Sequence, residues 1–285
     1  MTAELQGHTF LVTGASAGIG LATVEALASR GGAVVLAARS EDKTQPILRS
    51  LQIRFPGAEL SFLRLDLGDL ASVRRAAEEL LGGGRRLDVL VNNAGIGSGS
   101  GLTRDGFDLV VGTNYVGPYL FTKLLLPRLL EAPQGRIVNV SSRAHLRVKG
   151  IPWDQLHRPT SRIRSLHRYG VSKLLNVIHA VELARRHRGT RLTTSSLHPG
   201  VVASSIWRDV PWPLRPLMTR FMISNEEGAR TSVFCATAPE LATVSGRYYD
   251  ACREAPHNPL AGDEALAQRL FDWTEDAIAS ALEKR

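Results

Sequence analysis

Short apolar runs alternate along the chain with segments whose apolar residues recur at three- and four-residue spacing. The runs fall at residues 8–13, 33–38, 60–66, 87–92, 136–141, 192–198 and, more weakly, 247–250. Their length and β-branched content predict strands buried on both faces. The segments 19–30, 73–81, 119–130 and 169–186 predict amphipathic helices. Strands alternating with helices in this way predict a parallel sheet covered on both sides, hence a doubly wound α/β fold. No repeat, low-complexity tract or linker interrupts the alternation, so residues 1–285 read as one domain.

With 44% hydrophobic and 22% charged residues, the composition is that of an ordinary globular protein rather than a disordered one. Cys235 and Cys252 form no CxxC or Cys/His cluster, and the eight histidines show no HxxxH or HExxH pair, so neither a disulfide framework nor a metal site is expected. No apolar run is long enough to span a bilayer, which points to a cytoplasmic protein in a reducing compartment. The net charge of +8 is concentrated. Residues 143–168 carry Arg143, Arg147, Lys149, Arg158, Arg162, Arg164 and Arg168 against Asp154 alone. This stretch could attract an acidic substrate group or an anionic membrane surface, as a peripheral contact, or be a solvated loop. No recognisable nucleic-acid module accompanies it, so nucleic acid is not the expected partner.

The first run leads into Thr13-Gly14-Ala15-Ser16-Ala17-Gly18-Ile19-Gly20 and then a helical pattern. Glycines are needed where a backbone turns sharply and approaches a pyrophosphate, and the free N–H groups of a helix N-terminus hold phosphate oxygens. At the first strand-to-helix junction this is a Rossmann-type dinucleotide site, with a plain glycine-rich turn as the bland alternative. The second run ends at Arg39, where NAD-binding folds usually place an acid against the ribose 2′-hydroxyl. A guanidinium there suits a 2′-phosphate and argues for NADP(H). The alternative is a solvated arginine in an arginine-rich chain.

Tyr169 and Lys173 share one helix face at four-residue spacing, a weak mark by itself. Upstream, a strand ends at Asn139-Val140-Ser141-Ser142, at the edge where such sheets bind ligands. Together with Asn92-Asn93-Ala94-Gly95, Asn114, Tyr169-Gly170-Val171-Ser172-Lys173 and Pro199-Gly200, the chain resembles the short-chain dehydrogenase/reductase family over essentially its whole length. Ser-Lys-Leu-Leu-Asn at 172–176, the long spacing from Ser142 to Tyr169 and the stretch from Gly246 to Trp273 are most similar to its retinol-dehydrogenase-like branch.

The resemblance implies an oxidoreductase that moves hydride between nicotinamide and a carbonyl/alcohol pair. It assigns Ser142, Tyr169 and Lys173 to catalysis and Asn114 to the support of a proton-relay water, leaving Ser141 to finish the strand. It also implies that Gly14, Ser16, Gly18, Ile19 and Gly20 hold the pyrophosphate, that Asp66 and Leu67 meet the adenine, and that Asn93, Ala94 and Gly95 lie along the ribose. Lys173 would bond the nicotinamide ribose beside Tyr169, and Pro199, Gly200, Val201 and Ser204 would face the nicotinamide. A Lys⁺ ~4 Å from the phenol, at an effective dielectric of ~20, would contribute ~4 kcal/mol and bring Tyr169 to roughly pH 7. The rival readings are a nucleotide-sensing regulator without turnover and, less favoured, a nucleic-acid binder using the basic segment 143–168.

Residues 206–223 follow the Pro-Gly turn and hold Trp207, Trp212, Met218 and three prolines, which predicts an irregular substrate-covering segment at about 203–224 and a lipophilic aldehyde, ketone or alcohol as substrate. His145 and His167 are expected to be solvated, and Ser224-Asn225-Glu226-Glu227 reads as a helix capping box.

Overall fold

The seven predicted runs are strands: β1 (Thr9–Thr13), β2 (Ala33–Ala38), β3 (Leu60–Arg64), β4 (Val89–Asn92), β5 (Arg136–Val140), β6 (Thr193–His198) and β7 (Arg247–Asp250). A two-residue β8 (Arg253–Glu254) follows. The structure, a computed structural model, describes residues 4–160, 165–201 and 223–284. The strands form one sheet in the order β3-β2-β1-β4-β5-β6-β7-β8, parallel except for the last pair. Order reverses at β1, so the crevice above the carboxyl ends of β1 and β4 is the ligand site that such a sheet offers.

Helices cover both faces. On one lie α1 (Gly18–Ala28), α2 (Glu41–Arg54) and α7 (Asn225–Thr237), whose Val24, Leu27, Leu48, Leu51 and Cys235 pack against strand residues such as Phe10, Val12 and Leu36. On the other lie α3 (Leu70–Gly82), α5 (Gly117–Glu131), α6 (Ser165–Arg186) and α8 (Glu264–Glu283). The central strands β1, β2 and β4 bury both of their faces, which is why their runs are almost continuously apolar rather than alternating. A short α4 (Leu109–Val111) passes through a π-turn at Gly112–Val116 into α5. Such a widened turn re-aims side chains and is frequent at functional sites; here it carries Asn114.

Local chemistry sets the boundaries. Asp69 accepts hydrogen bonds from the amides of Ala71 and Ser72 and starts α3, and Ser224 and Glu227 form the predicted capping box of α7. β3 stops short of its predicted end because the Asp66 carboxylate takes the Gly68 amide at 3.0 Å and turns the chain. Helix α6 begins at Ser165, four residues before Tyr169.

The last helix lies across α5 and α6. Tyr115 Oη is 3.0 Å from Thr274 Oγ1, Tyr119 donates to Glu275 at 2.8 Å, and Lys123 pairs with the same carboxylate. The Phe271 ring packs on Tyr119 and His179, and the Arg186 guanidinium stacks 4.1 Å above it. No described helix is long and apolar enough to cross a membrane.

Candidate active site

The predicted nucleotide motif forms the turn from β1 into α1. Gly14 and Gly18 have φ of +69° and +58°, which a side chain resists. A Cβ on Gly20 would lie 2.3 Å from the Gly14 carbonyl oxygen, so glycine is the residue that lets α1 sit this close to β1. The α1 N-cap, Ala17, supplies no side-chain cap and the first turn holds no acid. Its amides therefore face outward as donors, which fits an anion. From β4, the amides of Asn93 and Ala94 both donate to Thr13 Oγ1 at 3.0 Å, and Asn93 Nδ2 donates to the Thr13 carbonyl at 2.8 Å. The two strand ends that flank the crevice are thus laced together.

Arg39 is exposed at the end of β2 and forms no ion pair with a described residue. With Arg64, Asp66, Ser72, Arg75 and Arg104 it lines a cavity of about 320 Å³. The buried Leu67 packs its carbonyl against α5, where a Cβ on Gly117 would come within 2.2 Å of it.

At the carboxyl end of β5, Ser141 does finish the strand: its amide donates to Leu197 and its hydroxyl to the Lys173 carbonyl at 2.7 Å. Ser142 turns out of the sheet, and its Oγ accepts from the Ala144 amide at 3.2 Å. The Tyr169 phenol stands beside the Ser142 side chain, whose hydroxyl opposes the rise that burial causes. Lys173 is buried, its Nζ 5.5 Å from the centre of the Tyr169 ring, and donates one proton to the Val140 carbonyl at 2.8 Å. Two of its three donors remain for a ligand. Gly95 stands beside it, where a Cβ would be 3.3 Å from Nζ and 3.2 Å from Asn114 Oδ1.

One expectation needs correction. The phenol is not brought toward neutrality by the polypeptide alone: burial pushes Tyr169 up, with the Ser142 hydroxyl opposing it, and Lys173 itself is lowered to about 8 by burial. With both groups buried, each loses more by leaving water than it gains from the other. The Asn114 side chain is spent on protein, its Oδ1 accepting from the Ile96 amide at 2.8 Å and its Nδ2 donating to Ile96 O and Ser172 Oγ. These bonds brace the site between Ile96 and Ser172.

Beyond β6, Gly200 has φ +91°, and the Ile223 amide donates to the Val201 carbonyl at 3.0 Å. Ser204 and residues 206–222 of the expected covering segment lie outside the described residues, as do Arg162 and Arg164. The basic segment is less free than its sequence indicates. Arg143 is paired with Asp250, and Arg168 is buried against Asp108. His145 is not solvated but fully buried, whereas His167 is exposed. His198, at the end of β6, is buried with neither ring nitrogen hydrogen-bonded and is pushed down to about 4 by burial. Both cysteines are free, and no described group of histidines, cysteines and carboxylates is arranged to hold a metal ion.

Asn258 and Asp108, which contact the segment between Ser142 and Tyr169, carried no sequence signal, because their partners there, His145, Val148 and Arg168, are distant in the chain.

Residues 8–153 match the short chain dehydrogenase family. The sequence is 41% identical over 276 residues to Dehydrogenase/reductase SDR family member 13 of Bos taurus, covering 95% of this chain and 73% of that protein. The chain belongs to the short chain dehydrogenase family. Human Retinol dehydrogenase 14 is 38% identical to this short chain dehydrogenase, over 95% of its length and 86% of the relative's, which sets it in the retinol-dehydrogenase-like branch. A crystal structure of an uncharacterised protein from Mycobacterium Paratuberculosis superposes with a TM-score of 0.77 at 29% identity, over 97% of both chains. The Rossmann-type sheet expected from the sequence is thus the family's fold.

Proposed function

We propose that this protein is an NADP(H)-dependent oxidoreductase that interconverts a lipophilic carbonyl compound and its alcohol, working on the cytoplasmic side as one domain. The observation that carries this reading is the convergence of Ser142, Tyr169 and Lys173 at the carboxyl end of β5, on the same sheet edge as the glycine turn into α1. When bound, the dinucleotide supplies or accepts the hydride.

The residues divide the remaining work. Gly14, Ser16, Gly18, Ile19 and Gly20 present the pyrophosphate with backbone donors and close approach. Arg39 takes the 2′-phosphate, Asp66 and Leu67 border the adenine, and Asn93, Ala94 and Gly95 border the ribose. Lys173 offers its two remaining N–H groups to ribose hydroxyls. The turn at Pro199, Gly200 and Val201 faces the nicotinamide, with Ser204 following it.

Ser142 donates to the reacting oxygen and fixes it. Tyr169 is a neutral phenol at physiological pH, because burial raises it, and gives its proton to the oxygen as charge develops there. Asn114 holds the Ser172 and Ile96 side of the site rigid, and Lys173⁺ stabilises the phenolate left behind.

The preference for apolar substrates is supported by the sequence of residues 206–223, which follow Gly200 and hold Trp207, Trp212, Met218 and several branched aliphatics, side chains that are costly to leave in water. NADPH oxidation followed along a straight-chain aldehyde series tests the reading. Catalytic efficiency should rise up to a few fold per added CH₂, as expected from ~0.8 kcal/mol of burial, until the pocket fills. No turnover of any carbonyl, or a preference for small polar ones, overturns it.

A further inference from the structure

The turn that follows Ser142 is held from behind by Asn258, which lies outside the stretch 8–153 matched by the family. The 3₁₀ turn Arg143–Arg147 follows Ser142, and His145 at its centre is fully buried. The His145 Nδ1 is 2.6 Å from the Ser142 carbonyl oxygen. A carbonyl only accepts, so Nδ1 carries the proton and Nε2 is left with a lone pair. That lone pair accepts the backbone N–H of Asn258 at 3.2 Å. The two bonds therefore fix a single tautomer and the ring orientation.

Asn258 spends every polar group it has on this contact and its own turn. Its Nδ2 donates to the carbonyls of His145 at 2.9 Å and Val148 at 2.8 Å, and its Oδ1 caps the Leu260 amide at 3.0 Å. It is itself buried, 4% exposed. The Tyr248 ring, 4.7 Å from His145 between centroids, closes the remaining side. A carboxylate at 258 would aim an acceptor at two carbonyls, glutamine would be one methylene too long, and alanine would leave the Val148 carbonyl without its donor, the His145 carbonyl keeping the Val148 amide.

We propose that His145 and Asn258 form a latch that positions Ser142 to hold the reacting oxygen, so that the segment after β8 is part of the catalytic apparatus. The proposal rests on the reading of Ser142 given above. Both latch residues act through Ser142 and touch no substrate. The latch matters because the reacting oxygen must be met by the Ser142 hydroxyl at hydrogen-bond distance, and a shift of an ångström there is enough to lose the bond.

The test is a double-mutant cycle on the purified protein with NADPH and a medium-chain aldehyde. Asn258→Asp should lower kcat about tenfold or more while KM and NADPH binding, followed by nucleotide fluorescence, change by no more than about twofold. In a Ser142→Ala background the same substitution should cost nothing further, because the serine it positions is gone. His145→Gln, which keeps a donor and an acceptor, should recover part of what His145→Phe loses. Multiplicative losses in the double variant, or a wild-type kcat for Asn258→Asp with Ser142→Ala inactive, overturn the latch. If Ser142→Ala itself turns over normally, the reading of the serine fails instead. Thermal unfolding of each variant separates misfolding from mispositioning, since the cycle is read only among variants that retain NADPH binding.

Discussion

Arg168 Nε lies 3.9 Å from Asp108 Oδ2, both side chains are buried, and Tyr169 is the next residue. Arg168 also donates to Gln155 at 2.9 Å, while Asp108 Oδ1 caps the amides of Val110 and Val111. The start of α6 is thereby tied to the helix that carries Asn114. Burial raises the Asp108 carboxyl, opposed by those amides and by Arg168. Arg168→Met should leave an uncompensated buried acid and lower unfolding free energy by about 3 kcal/mol in urea titrations, whereas the Asp108→Asn/Arg168→Met pair should recover much of it. Equal loss in the single and double variants would show that the pair carries no charge coupling.

Arg39→Asp replaces a phosphate-binding cation with an acid that suits a ribose 2′-hydroxyl. Preference in kcat/KM should move from NADPH toward NADH by about 1.5–3 kcal/mol, the range for hydrogen bonds to charged groups. A wild-type enzyme that already prefers NADH would refute the assignment.

Tyr169→Phe removes the proton donor and keeps the ring, so turnover should collapse with NADPH binding retained. In the wild type, reduction should slow as pH rises through about 8, where buried Lys173 gives up its proton and no longer stabilises the phenolate. A kcat that stays flat to pH 9.5 would place the essential ionisation elsewhere.

His179 and His198 are pushed down to about 3 and about 4 by burial. Between those values and the ordinary 6.5, the unfolded chain binds more protons than the folded one, so stability is lost as pH falls from 6.5 toward 4. Each histidine contributes about 1.4 kcal/mol per pH unit in that window. His179→Gln, which cannot take up a proton, should flatten the slope of unfolding free energy against pH by one histidine's share. An unchanged slope would mean that His179 is protonated without cost.

The sheet was legible because its central strands are almost continuously apolar, a pattern that survives small errors in strand ends such as those at Arg64 and Val89. The residues of the glycine turn, Ser142, Tyr169 and Lys173 were legible because each sits at a fixed spacing within a local motif. The electrostatics were not. Sequence places Lys173 next to Tyr169 but does not tell how deeply both are buried, and burial decides the sign of the shift. Counting charges between 143 and 168 likewise could not reveal that Arg168 turns inward to Asp108, or that His145 is sealed by a residue 113 positions away.

Helix α8 lies across the face of α5 and α6 that carries Tyr115, Tyr119 and His179, and it is synthesised after every strand of the sheet. Until residues 264–283 have left the ribosome, that aromatic face has no cover, although every strand of the sheet has already emerged. A nascent chain at that stage exposes the surface that chaperones bind and that drives aggregation. The order of synthesis thus makes the arrival of α8 the step that covers this face.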